Sequence, residues 1–504
     1  MGLDLARAFE ALDRATPIKS LERGRLRPVE VAAQSIAAAA PTAGLVTTPS
    51  LLVATGAGPI TAVLIATGLV LLVASSINRF TRRLAAPGSL YTFAVRGLGP
   101  FGGLVVAGAL ATGYLFVSLA SVVGASFYLT RTLALVPVLS TAVRGIQPLL
   151  AVAIGVLVFT FVLMGVRRAT VVMLLIEVLA IGTMVVALGF SAVAGFRRLP
   201  GSVSFAVQDL VTTPSPMALG TGVVIAFTAF VGFESSSALG AEAHRPLRSV
   251  PRVITGTAIG IAVLLTLGTV VQVMAFDRLG LPRSANPVDD ILVALNLQGF
   301  LPALDLAVMA SFVACATASL IALVRLMMTL AIDGVLPASL GEPHPKWRTP
   351  HRAALLLLPI VCGVPVLLLV AGVPVRDLMD QLIQISVLGY LVAYLVVCIS
   401  VMRFLPRIGE STIGSMVVAG AASLGLSVAL VIYLGVSVSH GIVSPALVLS
   451  ISTVAATSWW WWARRRHPES LQLLGAYDHP STSSVWWGPA PARTGSLAED
   501  GSPS

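Results

Sequence analysis

Long apolar runs, separated by short polar segments, repeat along most of this chain. A transmembrane helix needs about 20 mainly apolar residues to cross a hydrocarbon layer of about 30 Å. Runs of this length recur until about residue 463, so the pattern predicts an all-α polytopic membrane protein with about twelve transmembrane helices. The predicted spans are 29–54, 60–78, 101–129, 148–166, 169–195, 217–241, 252–275, 301–329, 353–372, 381–402, 413–436 and 442–462.

The sixth predicted span is interrupted near its middle. Gly232 is followed closely by Glu234 within an otherwise apolar run. Glycine weakens a helix, and a carboxylate at bilayer depth is costly unless it faces protein or a water-filled cavity. The sequence therefore predicts a broken helix, whose two halves would present free backbone groups to a small zwitterion.

The first span has a similar weak point. Pro41 removes a backbone donor, and Gly44 lowers helical stability. Interruptions in the first and sixth spans, five spans apart, are typical of an inverted-repeat transporter with its site between the repeats. An ordinary proline kink in the first span is the alternative.

Composition and charge narrow the class of protein. The chain has 504 residues, of which 56% are hydrophobic and 11% charged, and its net charge is +10. Lysine and arginine concentrate in alternate loops, as the positive-inside rule expects when both termini are cytoplasmic, so the charge does not indicate nucleic acid. We expect a multi-pass protein of the cell membrane, in contact with lipid, with a cytoplasmic segment over 1–28, a transporter domain over 29–463 and a disordered cytoplasmic tail over 464–504.

The sequence offers no candidate for enzymatic chemistry. The three cysteines, Cys315, Cys362 and Cys398, lie within apolar spans, and no histidine is paired with them at the spacing of a metal site. Neither a nucleophile with its base nor a cofactor motif is recognisable. We therefore expect no enzyme, no metal and no cofactor.

Several motifs, in order, resemble those of one transporter family. They are Ala40-Pro41 in the first span, Ala86-Pro-Gly-Ser-Leu-Tyr91 before the third, Phe230-Val-Gly-Phe-Glu234 in the sixth, and Asp333-Gly-Val-Leu-Pro337 after the eighth. With them the chain resembles the amino acid-polyamine-organocation (APC) permeases, which have the leucine-transporter fold. The resemblance implies a 5+5 inverted repeat, with broken helices 1 and 6, followed by two flanking helices. It also implies alternating access of a small organic substrate at the bilayer midplane.

The resemblance also implies which residues contact the substrate. In the first span this chain differs from the many family members that have a glycine-rich run, because it has Ala40-Pro-Thr-Ala-Gly44 there. Backbone groups at the two breaks would hold a carboxylate and an amine, and three phenylalanines would shape or gate the pocket. The implied binding residues are Pro41, Thr42, Ala43, Gly44, Phe227, Phe230, Val231, Gly232 and Phe233.

Four polar residues are candidates for coupling or gating. Glu234 is either a gating or proton-linked carboxylate or a structural clasp for the broken helix. Glu177, deep in the fifth span, either carries a coupled proton or makes a structural hydrogen bond. Thr317 and Ser319 lie where sodium-coupled members of the fold have an ion site, or they join helices by hydrogen bonds.

The predicted function is a secondary active transporter for amino acids. A neutral amino acid, with proton coupling or exchange, is favoured because the expected pocket has no acidic residue for a cationic side chain other than Glu234. A cationic amino acid or a polyamine is the alternative substrate. A nutrient sensor that uses the same scaffold without transport is the alternative from another class.

Overall fold

The computed structural model describes residues 24–135, 143–196, 211, 215–281, 287–344, 349–439, 444–466 and 474–475. Apart from one isolated β-bridge, the regular structure within these ranges is helical. The prediction of an all-α membrane protein is therefore confirmed.

The first half of the chain contains two half-helices followed by longer helices. They are α1 (Pro28–Ala39), α2 (Pro41–Ala54), α3 (Pro59–Thr81), α4 (Leu90–Leu98), α5 (Pro100–Ala134), α6 (Val143–Leu163) and α7 (Val166–Phe196). The short helix α4 lies between the second and third predicted spans and begins within the Ala86-Pro-Gly-Ser-Leu-Tyr91 motif. Proline starts many of these helices because its missing N–H costs nothing in the first turn.

The second half repeats this order. Its helices are α8 (Pro216–Thr228), a 3-10 turn (Ser235–Leu239), α9 (Pro246–Leu279), α10 (Pro287–Ala294), α11 (Leu301–Ile332), α12 (His351–Val370), α13 (Val375–Arg407), α14 (Ile413–Ser439) and α15 (Ser444–Arg466). Broken first and sixth spans, α1–α2 and α8 with its 3-10 turn, occupy equivalent places in the two halves.

Ten helices in the described ranges are long and apolar enough to cross a membrane, with α1–α2 counted as one. The sixth predicted span is represented by α8, which is apolar but short because of the break. The twelfth corresponds to α15, whose tryptophans and arginines lower its hydropathy. The count of twelve thus stays a prediction.

Helix α11 forms the centre of the bundle and is buried along nearly its whole length. It packs against α5, which also packs against α13. At the crossing of α5 and α13, a Cβ atom on Gly389 would lie 2.5 Å from the carbonyl oxygen of Ala109, so only glycine allows this approach. These three helices form the centre of the bundle, and α11 packs against both broken spans.

The two sides of the bundle differ in charge. We call the side that carries Arg79, Arg167, Arg252, Arg352 and Arg403 the arginine-rich face, and the other side the opposite face. At the opposite face, Arg131 of α5 contacts Asp289 of α10 at 2.6 Å and Asp305 of α11 at 3.4 Å. Burial raises the pKa of the Asp289 carboxyl, although the Arg131 guanidinium opposes this shift.

Residues near both limits of the described chain meet the arginine-rich face. Leu26 pairs with Ala243 in the β-bridge, through hydrogen bonds to Glu242 and His244. Helix α15 continues to Arg466, past the predicted boundary at residue 464, and Leu474 is buried in the bundle. The rest of the segments predicted as 1–28 and 464–504 falls largely outside the described residues.

Candidate functional site between the two broken helices

The first break lies at a single residue. Ala40 has φ 45° and ψ 59°, a left-handed conformation that an alanine rarely adopts, and it separates α1 from α2. Pro41 then begins α2 without an N–H group, and the N–H groups of Thr42 and Ala43 lie in a first helical turn, where no intrahelical partner exists. The predicted break is therefore present, rather than an ordinary proline kink.

The second break is longer and packs against the first. Helix α8 ends at Thr228, and Gly232 within the following turn has φ +96°. A Cβ atom on Gly232 would lie 2.8 Å from the carbonyl carbon and oxygen of Ala38. On the neighbouring turn, a Cβ atom on Gly44 would meet Ala229 Cβ at 3.5 Å. Glycine in each span thus lets the two broken helices touch.

A cavity of about 460 Å³ begins at the two breaks. Its volume lies within the range of small-molecule sites. Apolar side chains dominate its wall, and threonine and serine hydroxyls are interspersed among them. The lining includes Ala38, Ala39, Ala40, Ala43, Gly44, Thr47, Thr48, Ser121, Thr228, Ala229, Val231, Phe312, Cys315, Met379, Asp380, Ile383, Gln384, Val387 and Tyr433. From the breaks, the cavity extends toward the opposite face between α2, α8, α13 and α14.

Only part of the implied binding set lines this cavity. Ala43, Gly44 and Val231 do so. Pro41 lines a separate groove on the arginine-rich side of the break. The remaining five are buried beside the cavity but are absent from its lining; they are Thr42, Phe227, Phe230, Gly232 and Phe233.

Two of the three phenylalanines of the sixth span, Phe227 and Phe233, pack into an aromatic cluster instead. The ring centroids of Phe227 and Phe233 lie 6.2 Å and 5.6 Å from that of Tyr394. Tyr390 packs on Tyr394 at 5.8 Å and on Tyr114 at 5.5 Å. This cluster joins α5, α13 and the second break behind the cavity wall.

Glu234 is held by two of these tyrosines. Its carboxylate accepts hydrogen bonds from Tyr394 Oη and, at 3.3 Å, from Tyr114 Oη. Tyr394 Oη also accepts from the backbone N–H of Gly232 at 3.4 Å. Glu234 is fully buried, and both of its carboxylate oxygens accept hydrogen bonds, so it joins the second break to α5 and α13. This geometry favours the structural interpretation of Glu234.

Glu177 lies between α7 and α11. One carboxylate oxygen accepts a hydrogen bond from Ser311 Oγ at 3.0 Å, while the other has no partner among the described residues. One turn along α11, the Cys315 thiol lines the cavity and contacts the carbonyl oxygen of Ala38 at 3.2 Å. Glu177 thus lies behind the first break, with one oxygen available to a further ligand or proton.

The two hydroxyl residues considered for sodium have different surroundings. Thr317 Oγ1 donates to the carbonyl oxygen of Val313 on its own helix at 2.8 Å. Ser319 Oγ is buried and has no partner within the described ranges. Beside them, Gln34 Nε2 bridges the carbonyl oxygen of Ala318 at 2.7 Å and Ser235 Oγ at 2.8 Å, joining both broken spans to α11. Within the described ranges, no cluster of three or more His, Cys, Asp or Glu residues could hold a metal ion.

Asp380 is a lining residue that the sequence analysis missed. It lies near the start of α13, on the opposite-face side of the cavity, and is solvent-exposed. Seven residues separate it from Val387, which corresponds to roughly 10 Å along a helix. The only signal for it was a carboxylate next to the predicted tenth span, with nothing to indicate that it faced a cavity.

Buried polar contacts close the arginine-rich side of the site. Arg325 of α11 donates to Glu242 at 2.8 Å, with side-chain exposures of 1% and 5%. Nearby, Tyr91 Oη donates to Asp333 at 2.6 Å, and the N–H of Gly475 donates to the same carboxylate at 3.0 Å. Burial raises the pKa of Asp333, and these hydrogen bonds oppose the shift. The cavity is thus shut on this side and extends toward the opposite face.

The likeness to known proteins covers most of the chain. The sequence model of the family described as amino acid permease matches residues 30–462. The chain is 26% identical over 297 residues to the low-affinity putrescine importer PlaP of Escherichia coli, covering 57% of this chain and 62% of that protein. It is 25% identical over 382 residues to the branched-chain amino acid permease BcaP of Bacillus subtilis, covering 71% and 77% of the two chains. The match thus spans less than two thirds of the putrescine importer.

Solved structures share the fold at low sequence identity. A crystal structure of the Eremococcus coleocola manganese transporter matches with a TM-score of 0.52 and 13% identity, covering 89% of this chain and 95% of that one. At this identity the likeness concerns the fold alone, which is the leucine-transporter fold.

Proposed function

Because this chain belongs to the amino acid permease family, we propose that it is a secondary active transporter that moves a neutral amino acid across the plasma membrane by alternating access. The observation that carries the substrate class is the cavity at the two breaks, whose wall is apolar and hydroxyl-bearing next to free backbone groups. Permeases are transporters and not enzymes, in agreement with the absence of a catalytic motif from the sequence.

The backbone at the breaks supports a role in binding the charged groups of an amino acid. The first-turn N–H group of Ala43, which lines the cavity, lies at the positive end of α2, where a substrate carboxylate is stabilised. In the turn after Thr228, Ala229 and Val231 line the cavity, and their carbonyl groups are suited to an amine because a broken helix frees acceptors there. An apolar side chain would then lie against Val231, Phe312 and Val387.

Proton coupling at Glu177 is part of the proposal. Its free carboxylate oxygen and its position behind the Ala38–Cys315 contact would let a change of protonation alter the packing of α1 on α11. Sodium, with Ser319 as one ligand, is the alternative, and both termini would face the cytoplasm.

Asp380 favours a second candidate, a diamine or a cationic amino acid. A carboxylate on the opposite-face side of the cavity could pair with a second amine of a ligand whose first amine lies at the breaks. In that case Asp380→Asn should weaken binding of the cationic ligand and leave neutral ligands unaffected.

Thermal stabilisation of the purified protein by a panel of amino acids and polyamines tests the proposal. A ligand that binds only the folded state raises its melting temperature, by an amount that grows with concentration. Branched-chain or other neutral amino acids should raise it, and putrescine, lysine and arginine should not. If only cationic compounds stabilise the protein, and Asp380→Asn loses this effect, the proposal of a neutral substrate would be overturned and the second candidate supported.

Gly44→Val tests the cavity as the site. Gly44 lines the cavity, and the Cβ atom of a valine there would lie at ordinary contact distance from Ala229, so the variant should fold. Its apparent affinity for the ligand, measured by thermal stabilisation, should fall at least tenfold. Gly435→Val is the matched control, because Gly435 is an exposed helical glycine on α14 with open space around it. Equal loss in both variants, or in neither, would contradict the assignment of the site.

A further inference from the structure

A second cavity, separate from the substrate site, opens on the arginine-rich side of the bundle. It has a volume of about 550 Å³ and lies between α1, α7 and α9. It shares no lining residue with the cavity at the breaks. The established family function assigns nothing to this groove.

One stripe of α9 forms the length of the groove. Arg248, Arg252, Gly256, Gly260 and Leu264 follow each other at intervals of four residues and all line it. Residues four apart lie on one face of a helix. The stripe therefore changes from cationic at the helix start to apolar toward the membrane interior.

The depth of this stripe matches one leaflet. The distance along the helix axis from Arg252 to Leu264 is roughly 18 Å, and half of the hydrocarbon layer is about 15 Å thick. Across the groove, Pro28, Ala32 and Ile36 of α1 provide an apolar wall at the same interval of four residues. The groove thus offers an apolar channel that starts at the membrane surface.

The two glycines keep this channel open. A Cβ atom on Gly256 or Gly260 would meet no protein atom within 4 Å, so neither glycine is explained by helix packing. Both are exposed. Because the groove lies at bilayer depth, an apolar chain is the occupant that would fill this space.

The mouth of the groove is positively charged. Arg245, Arg248 and Arg252 surround the start of α9, and the helix N-terminus adds a partial positive charge. Basic groups between transmembrane helices at a membrane surface are suited to anionic lipid headgroups. We propose that the groove binds an anionic phospholipid, with its phosphate at these arginines and an acyl chain along Gly256 and Gly260.

Lipid titration of the full-length, detergent-purified protein tests this proposal. Native mass spectrometry would count bound phosphatidylglycerol and phosphatidylcholine with identical acyl chains, and inorganic phosphate would serve as a third probe. Phosphatidylglycerol should bind at least fivefold more tightly than phosphatidylcholine. Equal binding of the two lipids would overturn the proposal. Binding of inorganic phosphate without preferential binding of phosphatidylglycerol would also overturn it and would indicate a site for a soluble anion.

Two kinds of variant separate headgroup from chain. The double variant Arg248→Gln, Arg252→Gln should weaken phosphatidylglycerol binding by roughly ten- to thirtyfold and weaken phosphatidylcholine binding less, because the choline group offsets the charge of its phosphate. The double variant Gly256→Leu, Gly260→Leu should weaken both lipids, because its side chains occupy the channel and their Cβ atoms meet no protein atom within 4 Å.

Matched controls are available elsewhere on the chain. Arg403→Gln removes an exposed arginine from the same face on α13, and Gly435→Leu adds a side chain to an exposed glycine on α14. Both should bind phosphatidylglycerol as the wild-type protein does. If the controls lose as much lipid as the groove variants, the binding is spread over the surface and the groove is not a site.

Discussion

The Glu177 carboxylate is the residue on which the proposed proton coupling depends. We expect Glu177→Gln to flatten the pH dependence of uptake into proteoliposomes, because a glutamine cannot exchange a proton. Its amide oxygen can still accept the hydrogen bond from Ser311, so the protein should remain folded. Glu410→Gln is the control, since Glu410 is an exposed partner of Arg83 outside the membrane-spanning helices.

An unchanged pH profile in Glu177→Gln would leave this carboxylate with a structural role. A flattened profile in Glu410→Gln as well would attribute the effect to surface charge. Only a change confined to Glu177→Gln supports proton coupling.

Single polar residues were predicted unevenly from the sequence. Glu234 was recognised because a carboxylate inside an apolar span is conspicuous, yet its partners Tyr114 and Tyr394 were not. A tyrosine is common in an apolar helix, and nothing in the pattern of α5 or α13 indicates which ring faces the break. Asp380 was missed for a related reason, since its cavity is formed by helices distant in sequence.

At the scale of the secondary-structure elements, the two breaks are the features the sequence predicted best. Proline and glycine act locally on backbone conformation, so Pro41 and Gly232 indicated the breaks without tertiary information. The rotation of α8 could not be predicted, because that helix is apolar on all sides and its pattern favours no face. Phe227 and Phe230 were consequently expected in the pocket, whereas they lie behind its wall.

The second break depends on a glycine for two physical reasons. Gly232→Ala would place a Cβ atom 2.8 Å from the Ala38 backbone, at a φ of +96° that alanine disfavours. We expect this variant to lose about 1–3 kcal/mol of stability, measured as a lower melting temperature in detergent. Gly44→Ala, with its nearest contact at 3.5 Å, should melt within a few degrees of the wild type. Equal melting of both variants would show that the break tolerates a side chain.

At the scale of the whole molecule, the described contacts define one access state. The cavity extends toward the opposite face, whereas Arg325–Glu242 and Tyr91–Asp333 close the arginine-rich face. If the transporter alternates, these buried contacts must open in the other state. Removing a single partner from one of these buried contacts should therefore destabilise this state more than breaking a surface ion pair does.

The Arg325–Glu242 pair allows a direct test of this closure. Glu242→Gln leaves a buried guanidinium without its carboxylate, and we expect a loss of about 3–5 kcal/mol. The double variant Glu242→Leu, Arg325→Met removes both charges and should recover most of this stability. The melting temperatures of Glu242→Leu, Arg325→Met and the double variant give the double-mutant cycle. A double variant as unstable as Glu242→Gln would mean that the loss does not come from an unpaired charge.

The thiol of Cys315 gives the protein a built-in chemical reporter. Cys315 lines the cavity, whereas Cys362 packs on Gly155 and Cys398 is buried in α13. A small thiol reagent that enters the cavity from the opposite face would meet Cys315 there, and a bound substrate would shield it. The rate at which the unmodified chain is alkylated would thus record both which face is open and whether the site is occupied, without any introduced label.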